Sequence, residues 1–304
     1  MKLGDEVSSI LNGAKYNVLI AAPFIRSEAL IRLIDVIPTD IETTVVTRWR
    51  PSDLLSGVSD LAVYDLTVSH GIPLFVRQDL HAKYFAVDDE CLVGSANVTL
   101  TALGWKTPAN LELLTTVSRN SDRMKEFESS LMSGAVKVTA AHHARLEHLL
   151  KKLKESSVDF TNAQMISALK PLPPNWVPKS RNPEELYSVY CGNLDVIRSA
   201  LNTMKDELLV IGALPGLDED GFRAIVAATI AQSPLIDRVI RQIDSEGQVS
   251  ETELHAILTA VGIEEGKYNP RDVLQVLERW FSYFLSDHYE TASDSIKLIK
   301  AQKI

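Results

Sequence analysis

The chain has 304 residues, of which 45% are hydrophobic and 23% are charged, a composition that suits a globular protein of about two domains. Its formal net charge is −9, and most of this negative charge falls in residues 181–304. The overall field therefore excludes general attraction to nucleic acid or to an anionic membrane, and local positive charge must hold any phosphodiester substrate.

The sequence carries no sign of a membrane or secretory protein. No apolar run approaches the roughly 18 residues that a membrane span needs, and the first residues lack the pattern of a signal peptide. The two cysteines, Cys91 and Cys191, are isolated, which indicates neither a disulfide framework nor a zinc site. Cys91 lies in an apolar run and is interpreted as a core residue. We expect a cytoplasmic protein without a membrane partner.

The first 160 residues alternate between predicted helices and strands, as in α/β proteins. Apolar runs predict buried strands, and apolar residues at helical spacing behind a capping residue such as Ser27 predict helices. In chain order the predictions are helix 2–14, strand 16–24, helix 28–36, strand 43–47, a helix from Pro51 that can continue over 59–68, strand 73–76, a hairpin of strands 83–87 and 91–93, strand 111–117, and helices 121–132 and 140–156.

Closely spaced prolines between residues 169 and 178 do not support a regular element. We therefore predict an α/β domain over residues 1–160, a proline-rich linker over 161–180 and an acidic helical domain over 181–304. The helices predicted in this last domain begin at residue 182, span 195–211, 218–232, 234–243 and 250–261, and begin again at residue 270.

The last three predicted helices resemble a winged-helix or helix-turn-helix unit. Ser250 and Glu253 form a capping box in front of the second of them. The third helix begins with Arg271 and Asp272 and does not present a basic recognition face. Contact with a partner protein, support of a dimer and DNA reading all stay open for this domain.

The residues with the clearest chemical pattern lie within residues 81–112. His81 and Lys83 are two apart, so a strand places an imidazole and an ammonium on one face. A turn then brings Ser95 and Asn97 back beside them. A neutral imidazole can attack phosphorus, while an ammonium, an amide and a hydroxyl can bind the non-bridging oxygens as charge builds up on them.

Two further features complete the predicted site. Backbone N–H groups around residues 94–97 can bind phosphate if a helix begins after Asn97, as residues 99–103 suggest. Glu112 can accept a hydrogen bond from the second nitrogen of His81, which would fix the tautomer and stabilise the imidazolium.

In this order, His81, Lys83, Asp88 and the run Gly-Ser-Ala-Asn at 94–97 resemble the HxKxxxxD and GSxN motifs of the phospholipase D superfamily. The run Asn-Leu-Glu at 110–112 resembles the supporting-acid segment of that family. The interval between the two motifs is one residue shorter than the common pattern, which a hairpin turn can absorb. The resemblance covers about residues 1–135 and implies an α/β fold with a mixed β-sheet sandwiched by helices. Asp88 is expected to brace the turn.

The resemblance implies a metal-independent phosphodiesterase without a cofactor, whose catalytic side chains are His81, Lys83, Ser95, Asn97 and Glu112. His81 would be the nucleophile that forms a covalent phosphohistidine. Lys83 and Asn97 would hold the phosphate with help from Ser95, and Glu112 would orient the histidine.

This mechanism needs a second histidine as the acid, and the motif occurs once. The other histidines lack a following x-Lys and a GSxN partner; they are His70, His142, His143, His148, His255 and His288. Single-motif relatives pair two chains about a two-fold axis, so we expect a homodimer with one composite site. Such relatives are more often nucleases, including restriction-type enzymes, which favours DNA over RNA as substrate and suggests restriction or phage defence by analogy.

Two alternatives stay open: a hydrolase of lipids or small phosphodiesters, and a non-catalytic module that binds nucleic acid or regulates a partner. For a nuclease, Arg48, Arg50 and Lys106 near strand ends are candidates for contacts with the nucleic-acid backbone. Trp49 and Trp105 could stack on bases, and core packing explains both tryptophans equally well.

Overall fold

The computed structural model describes residues 2–155, 172–173, 175–193, 198–213, 215–263, 266–286, 289–291 and 298–300. The chain forms two compact units, Met1–Glu147 and His148–Ile304. Most of the predicted linker, the first residues of the predicted helix 195–211 and His288 lie outside the described residues. The predicted domain limits at residues 160 and 181 therefore stay a prediction.

The first unit combines helices with a sheet. Its helices are α1 (Leu3–Asn12), α2 (Ser27–Ile34), α3 (Pro51–Leu55), α4 (Ala62–Ser69), α5 (Asp122–Ser133) and the beginning of α6 (Ala140–Glu155). Its strands are β1 (Asn17–Ala21), β2 (Glu42–Thr47), β3 (Leu74–Val76), β4 (Lys83–Val87), β5 (Glu90–Gly94), β6 (Leu114–Ser118) and β7 (Val136–Lys137).

The strands form one mixed sheet in the order β6-β5-β4-β1-β2-β3-β7. The pairs β1–β2 and β2–β3 are parallel, and the other pairs are antiparallel. β1 lies at the centre, and its residues Val18 to Ala21 are all buried, which explains its uninterrupted apolar run. The predicted α/β fold class, a mixed sheet with helices and a helical C-terminal region, is confirmed.

Two details of this unit differ from the prediction. The helix predicted from Pro51 to residue 68 is divided into α3 and α4, because Gly57 adopts a left-handed conformation with φ of 72° that a helix cannot continue through. β7 was not predicted, since a strand of two residues carries no periodicity; it pairs antiparallel with β3 at the edge of the sheet.

The turn of the β4–β5 hairpin is held by Asp88, as predicted. Asp88 has a φ of 52°, and its carboxylate accepts hydrogen bonds from the backbone N–H groups of Lys15, Tyr16 and Asn17 at 2.9, 2.8 and 3.1 Å. Burial opposes ionisation, but these hydrogen bonds outweigh it and lower the pKa of Asp88. The structural role of Asp88 is confirmed.

The second unit is mostly helical. A short 3₁₀ turn (Pro183–Glu185) precedes helices α7 (Leu186–Tyr190), α8 (Arg198–Ile211), α9 (Glu219–Ile230), α10 (Pro234–Glu246), α11 (Glu251–Ala260) and α12 (Pro270–Phe284), with strands β8 (Gln248–Val249), β9 (Tyr289–Thr291) and β10 (Leu298–Lys300). Across the described ranges of the chain, no helix has the length and apolar character needed to cross a membrane.

The chain from α10 to β10 has the order of elements of a winged helix: helix, strand, two helices and two strands. The strands form an antiparallel sheet in the order β8-β10-β9. The predicted capping box is present, because the Ser250 hydroxyl accepts from the N–H of Glu253 and the Glu253 carboxylate accepts from the N–H of Ser250. On α12, Arg279 donates to the carbonyl of Arg181 at 2.7 Å, so its charge is used within the unit.

A buried carboxylate was not foreseen in this unit. Glu207 on α8 is 4% exposed and accepts hydrogen bonds from the backbone N–H groups of Lys179 at 2.5 Å and Ser180 at 3.2 Å. The carbonyl of Ser180 accepts in turn from the indole N–H of Trp280 at 2.9 Å. Burial raises the pKa of Glu207 to about 7, although the backbone hydrogen bonds oppose the shift.

Candidate active site

The β4–β5 hairpin places Lys83 beside Gly94 as cross-strand neighbours, so both predicted motifs meet at one end of the hairpin. β4 begins at Lys83, and His81 lies two residues before it, which corrects the prediction that both residues share a strand. The Lys83 ammonium donates to the carbonyl of His81 at 2.8 Å. Lys83 therefore fixes the main chain of His81 as well as adding positive charge.

The electrostatics of the site favour a neutral imidazole. His81 is exposed, and the positive charge of Lys83 lowers its pKa, with smaller contributions from partial burial, Arg48 and Arg50. A neutral imidazole keeps a nitrogen lone pair for attack on an electrophile. Burial, followed by the charge of Arg48, lowers the pKa of Lys83, whereas Glu112 opposes this shift.

Asn97 is oriented by the chain that follows β1. Its side-chain oxygen accepts from the N–H of Phe24 at 3.4 Å, which leaves the amide NH₂ group as a donor for a ligand oxygen. Val98 forms a parallel bridge with Ile25 and strengthens this attachment. The helix predicted over 99–103 is instead a series of turns, so no helix N-terminus supports the site there.

The side chains of Ser95 and Glu112 are hydrogen-bonded to each other. The Ser95 hydroxyl donates to the Glu112 carboxylate, and the same hydroxyl accepts from the N–H of Leu113 at 3.0 Å. The second carboxylate oxygen accepts from the side-chain amide of Asn110 at 3.0 Å, a contact that sequence reasoning did not assign. Within one chain Glu112 therefore positions Ser95. The carboxylate accepts from Ser95 and Asn110 in place of the predicted hydrogen bond from His81.

Gly94 permits this arrangement because the neighbouring backbone leaves no room for a side chain. A Cβ at this position would lie 2.0 Å from the carbonyl oxygen of Leu113. The hairpin can therefore lie against residues 113–114 only with glycine here, and this contact brings Ser95 to Glu112.

We expect Gly94→Ala to destabilise the first unit by about 1–3 kcal/mol, because the backbone must move to relieve the overlap. Urea denaturation followed by circular dichroism measures this change. Gly13→Ala is the matched control, since Gly13 has a φ of −85° and an added Cβ would be 3.4 Å from its nearest neighbour. Equal midpoints for the two variants would contradict the close contact.

The two predicted arginines are engaged within the chain. Arg48 is 8% exposed and pairs with Asp53 through hydrogen bonds of 2.8 and 3.1 Å. A direct contact of Arg48 with a nucleic-acid backbone is at odds with this placement, because the contact requires an accessible guanidinium. Arg50 is half-buried, and its guanidinium donates to the carbonyl of Gln78 at 3.0 and 2.5 Å.

The remaining nucleic-acid candidates differ in exposure. Trp49 is 0% exposed, so it is a core residue and cannot stack on a base. Trp105 is half-buried, and its indole N–H donates to Asp5 at 2.9 Å on α1. Its ring also lies against Gly4, where an added Cβ would come within 2.4 Å of it. Lys106 is exposed and is therefore accessible to a ligand from solution.

Two histidines outside the motif have contacts of their own. The His70 ring lies 2.8 Å from the carbonyl of Leu66, and the His143 ring stacks on Tyr64 with a centroid distance of 4.8 Å. Within the described ranges, no three His, Cys, Asp or Glu side chains are grouped so as to hold a metal ion.

Known proteins resemble this chain only weakly. No protein-family model and no curated protein sequence matches it. Similar solved structures include NucT from Helicobacter pylori, which has 15% sequence identity and a TM-score of 0.34, with coverage of 44% of this chain and 89% of NucT.

Two further structures are similar to the same extent. Phosphatidylserine synthase from Haemophilus influenzae Rd KW20 has 16% identity and a TM-score of 0.34, with coverage of 50% of this chain and 41% of the synthase. TrmBL2, an archaeal chromatin protein with a novel mode of DNA binding, has 15% identity and a TM-score of 0.32, with coverage of 45% and 52%. This chain covers less than two thirds of the length of these two proteins.

Proposed function

We propose that the chain is a metal-independent phosphodiesterase of the phospholipase D type, and most specifically a nuclease that cleaves DNA. The observation that carries the proposal is that one end of the hairpin holds an exposed imidazole with a lowered pKa (His81) and an ammonium (Lys83) next to the run that carries an oriented amide (Asn97). These are a nucleophile and two donors for the non-bridging oxygens of a phosphodiester.

The proposed reaction proceeds in two displacements. The neutral His81 imidazole of one subunit attacks phosphorus, and the bond from phosphorus to the leaving oxygen breaks. That oxygen takes a proton from the partner subunit's His81, which must be the one protonated ring of the pair. Water then attacks the phosphohistidine and gives its proton to the partner's His81, and the phosphorus–nitrogen bond breaks to release the product and the imidazole of His81. Lys83 and Asn97 offset the negative charge that grows on the non-bridging oxygens.

A homodimer supplies the second imidazole. The His70 ring is hydrogen-bonded to the carbonyl of Leu66 and the His143 ring stacks on Tyr64, and neither contact involves His81. A two-fold axis beside His81 would bring two identical imidazoles together, one as nucleophile and one as acid. In this arrangement the hydrogen bond between Ser95 and Glu112 of each subunit would help to hold the shared site in place.

Lys106 is the candidate for a contact with the nucleic-acid backbone, since it is exposed, and the winged-helix region offers a surface for a partner protein or for DNA. A setting in restriction or phage defence follows by analogy alone. DNA is preferred over RNA on the same analogy.

One observation favours a second candidate, a hydrolase of lipids. Leu111 and Leu113, on either side of Glu112, are 103% and 73% exposed, which gives the rim of the site an apolar character. Phospholipid vesicles are therefore included among the substrates to be tested.

Cleavage in the presence of EDTA tests the proposal. Single- and double-stranded DNA, RNA and phospholipid vesicles are each incubated with the wild-type chain and with His81→Ala. Cleavage of DNA that EDTA does not suppress and His81→Ala abolishes supports the nuclease, and the same pattern on vesicles alone selects the lipid hydrolase. Binding of DNA without cleavage, unchanged in His81→Ala, would instead indicate a non-catalytic module.

A further inference from the structure

The position of His81 needs an explanation, because this residue lies outside the sheet ladder. It belongs to the segment 77–82, which connects β3 to β4 and is called the histidine loop below. Its ends are tied by few backbone hydrogen bonds: the N–H of Arg77 donates to the carbonyl of Thr47 at 2.9 Å, and the N–H of Leu80 donates to the carbonyl of Arg77 at 3.2 Å.

Two arginines from the segment after β2 hold the middle and the end of the histidine loop. Arg50 donates twice to the carbonyl of Gln78, through Nε at 3.0 Å and through Nη2 at 2.5 Å. Arg48 donates through Nη1 to the carbonyl of Leu80 at 3.3 Å, directly before His81. The side-chain amide of Gln78 returns a longer hydrogen bond, of 3.5 Å, to the carbonyl of Trp49.

Arg48 is itself held rigidly. Its remaining donors bind both carboxylate oxygens of Asp53, and its guanidinium lies 5.0 Å from the centroid of the Phe24 ring. Phe24 is also the residue whose N–H orients Asn97. The contact between Arg48 and Phe24 therefore links the histidine loop to the amide that is proposed to bind the phosphodiester.

We propose that Arg50 and Arg48 are positioning residues for the proposed cleavage, fixing the histidine loop so that His81 faces the phosphodiester without themselves touching the substrate. This inference rests on the proposed function. A planar guanidinium with several fixed donors suits such a role, because it can hold a carbonyl from two nitrogens at once, which an ammonium cannot reproduce.

The two arginines also contribute charge. The charged groups that act on the His81 ring are Lys83, Arg48 and Arg50, and all three lower its pKa. Removal of one positive charge should therefore raise the pKa of His81 and move the acid limb of the pH–rate profile to higher pH. Replacement of Arg50 by lysine keeps the positive charge but removes the two guanidinium donors that hold one carbonyl. This variant therefore separates the effect of charge from the effect of hydrogen bonding.

The test compares Arg50→Gln and Arg50→Lys with the wild-type chain. Histidine titration is followed by NMR, with the His81 signal assigned by its loss in His81→Ala, and kcat and KM are measured on the cleaved substrate. We expect both variants to lose kcat by about tenfold or more, since small misplacement of a reacting group is costly, with KM changed much less. The pKa of His81 should rise in Arg50→Gln and stay near the wild-type value in Arg50→Lys.

Lys106→Gln is the contrasting variant. Lys106 is exposed, and it is not among the groups that shift the pKa of His81, so this change should raise KM and weaken the salt dependence of binding without moving the His81 titration. The inference is overturned if Arg50→Gln behaves like Lys106→Gln, because that would make Arg50 a direct substrate contact. It is equally overturned if Arg50→Lys restores full kcat.

Failure of the proposed function gives a different result. If the wild-type chain shows no cleavage that His81→Ala abolishes, the nuclease proposal fails on that measurement alone. The histidine loop is then tested by amide hydrogen exchange, in which Arg50→Gln should accelerate exchange at Leu80, whose N–H bonds within the loop. Unchanged exchange there would overturn the bracing role whether or not the chain is an enzyme.

Discussion

Replacement of His81 by alanine is expected to lower the rate of phosphodiester cleavage by on the order of 10⁴-fold or more, because the proposed reaction loses its nucleophile. The fold should be unaffected, since the imidazole is exposed and the structure relies on the main chain of His81 more than on its ring. Single-turnover cleavage and urea denaturation measure the two effects. A variant that keeps more than a tenth of the wild-type rate would contradict the assignment of the nucleophile.

The same variant tests the composite site. When wild-type and His81→Ala chains are unfolded together in equal amounts and refolded, random pairing leaves about a quarter of the dimers with two intact histidines. If both histidines are needed in one site, activity should fall to about that fraction of an equal total amount of wild-type dimer. Retention of half the activity would instead show that each chain works with its own histidine.

The second large effect is expected at Glu207, far in sequence from the proposed site. The pKa of Glu207 is raised to about 7 in the folded chain, from an ordinary value of 4.5. Between these two pH values the unfolded chain releases a proton that the folded chain keeps, so the free energy of unfolding should fall by about 1.4 kcal/mol per pH unit. The total loss is about 3 kcal/mol, complete near pH 7, and stability is then constant above it as far as Glu207 is concerned.

Glu207→Gln should abolish this pH dependence. The amide oxygen can still accept from the N–H groups of Lys179 and Ser180, and no charge has to be buried. The free energy of unfolding, measured with urea at several values between pH 5 and pH 8, should therefore be higher than that of the wild-type chain at pH 8. Glu207→Ala leaves both N–H groups without their acceptor and should destabilise at every pH, by about 1–3 kcal/mol per group.

Asp206→Asn is the matched control for Glu207. It removes a carboxylate from the neighbouring position of the same helix, but Asp206 is exposed, so its effect should be within about 0.5 kcal/mol. If Asp206→Asn and Glu207→Gln change the pH dependence equally, the effect reflects net charge and the buried hydrogen bonds of Glu207 are not its cause.

The site could be predicted from sequence where its geometry is local. Lys83 and Gly94 face each other because a hairpin joins them, and the position of Asp88 in the tight turn indicates its structural role. The contacts of Arg48 and Glu112 could not be predicted in the same way. Arg48 is buried by Asp53 and by the carbonyl of Leu80, and no periodicity of the sequence indicates which partner a charged side chain finds.

The fold shows the same division. Long apolar patterns predicted the bounds of α2 and β1 to within a few residues, because burial on one or both faces determines which positions of such an element are apolar. The short strands β7, β8, β9 and β10 were missed, since two or three residues are held by their partners and carry no pattern of their own. Glu207 was missed for a related reason: it lies among charged residues of α8, and its burial comes from a distant segment.

The strand order of the first unit has a consequence for how that unit folds. β6 and β7 lie at opposite edges of the sheet although α5 alone separates them along the chain. The hairpin with Lys83 and Gly94 can form early from neighbouring residues, whereas the far edge closes only after the chain has crossed the whole sheet and Val136 has reached Val76. During synthesis, β3 therefore keeps an open edge until β7 has left the ribosome, and an open strand edge can pair wrongly with other chains.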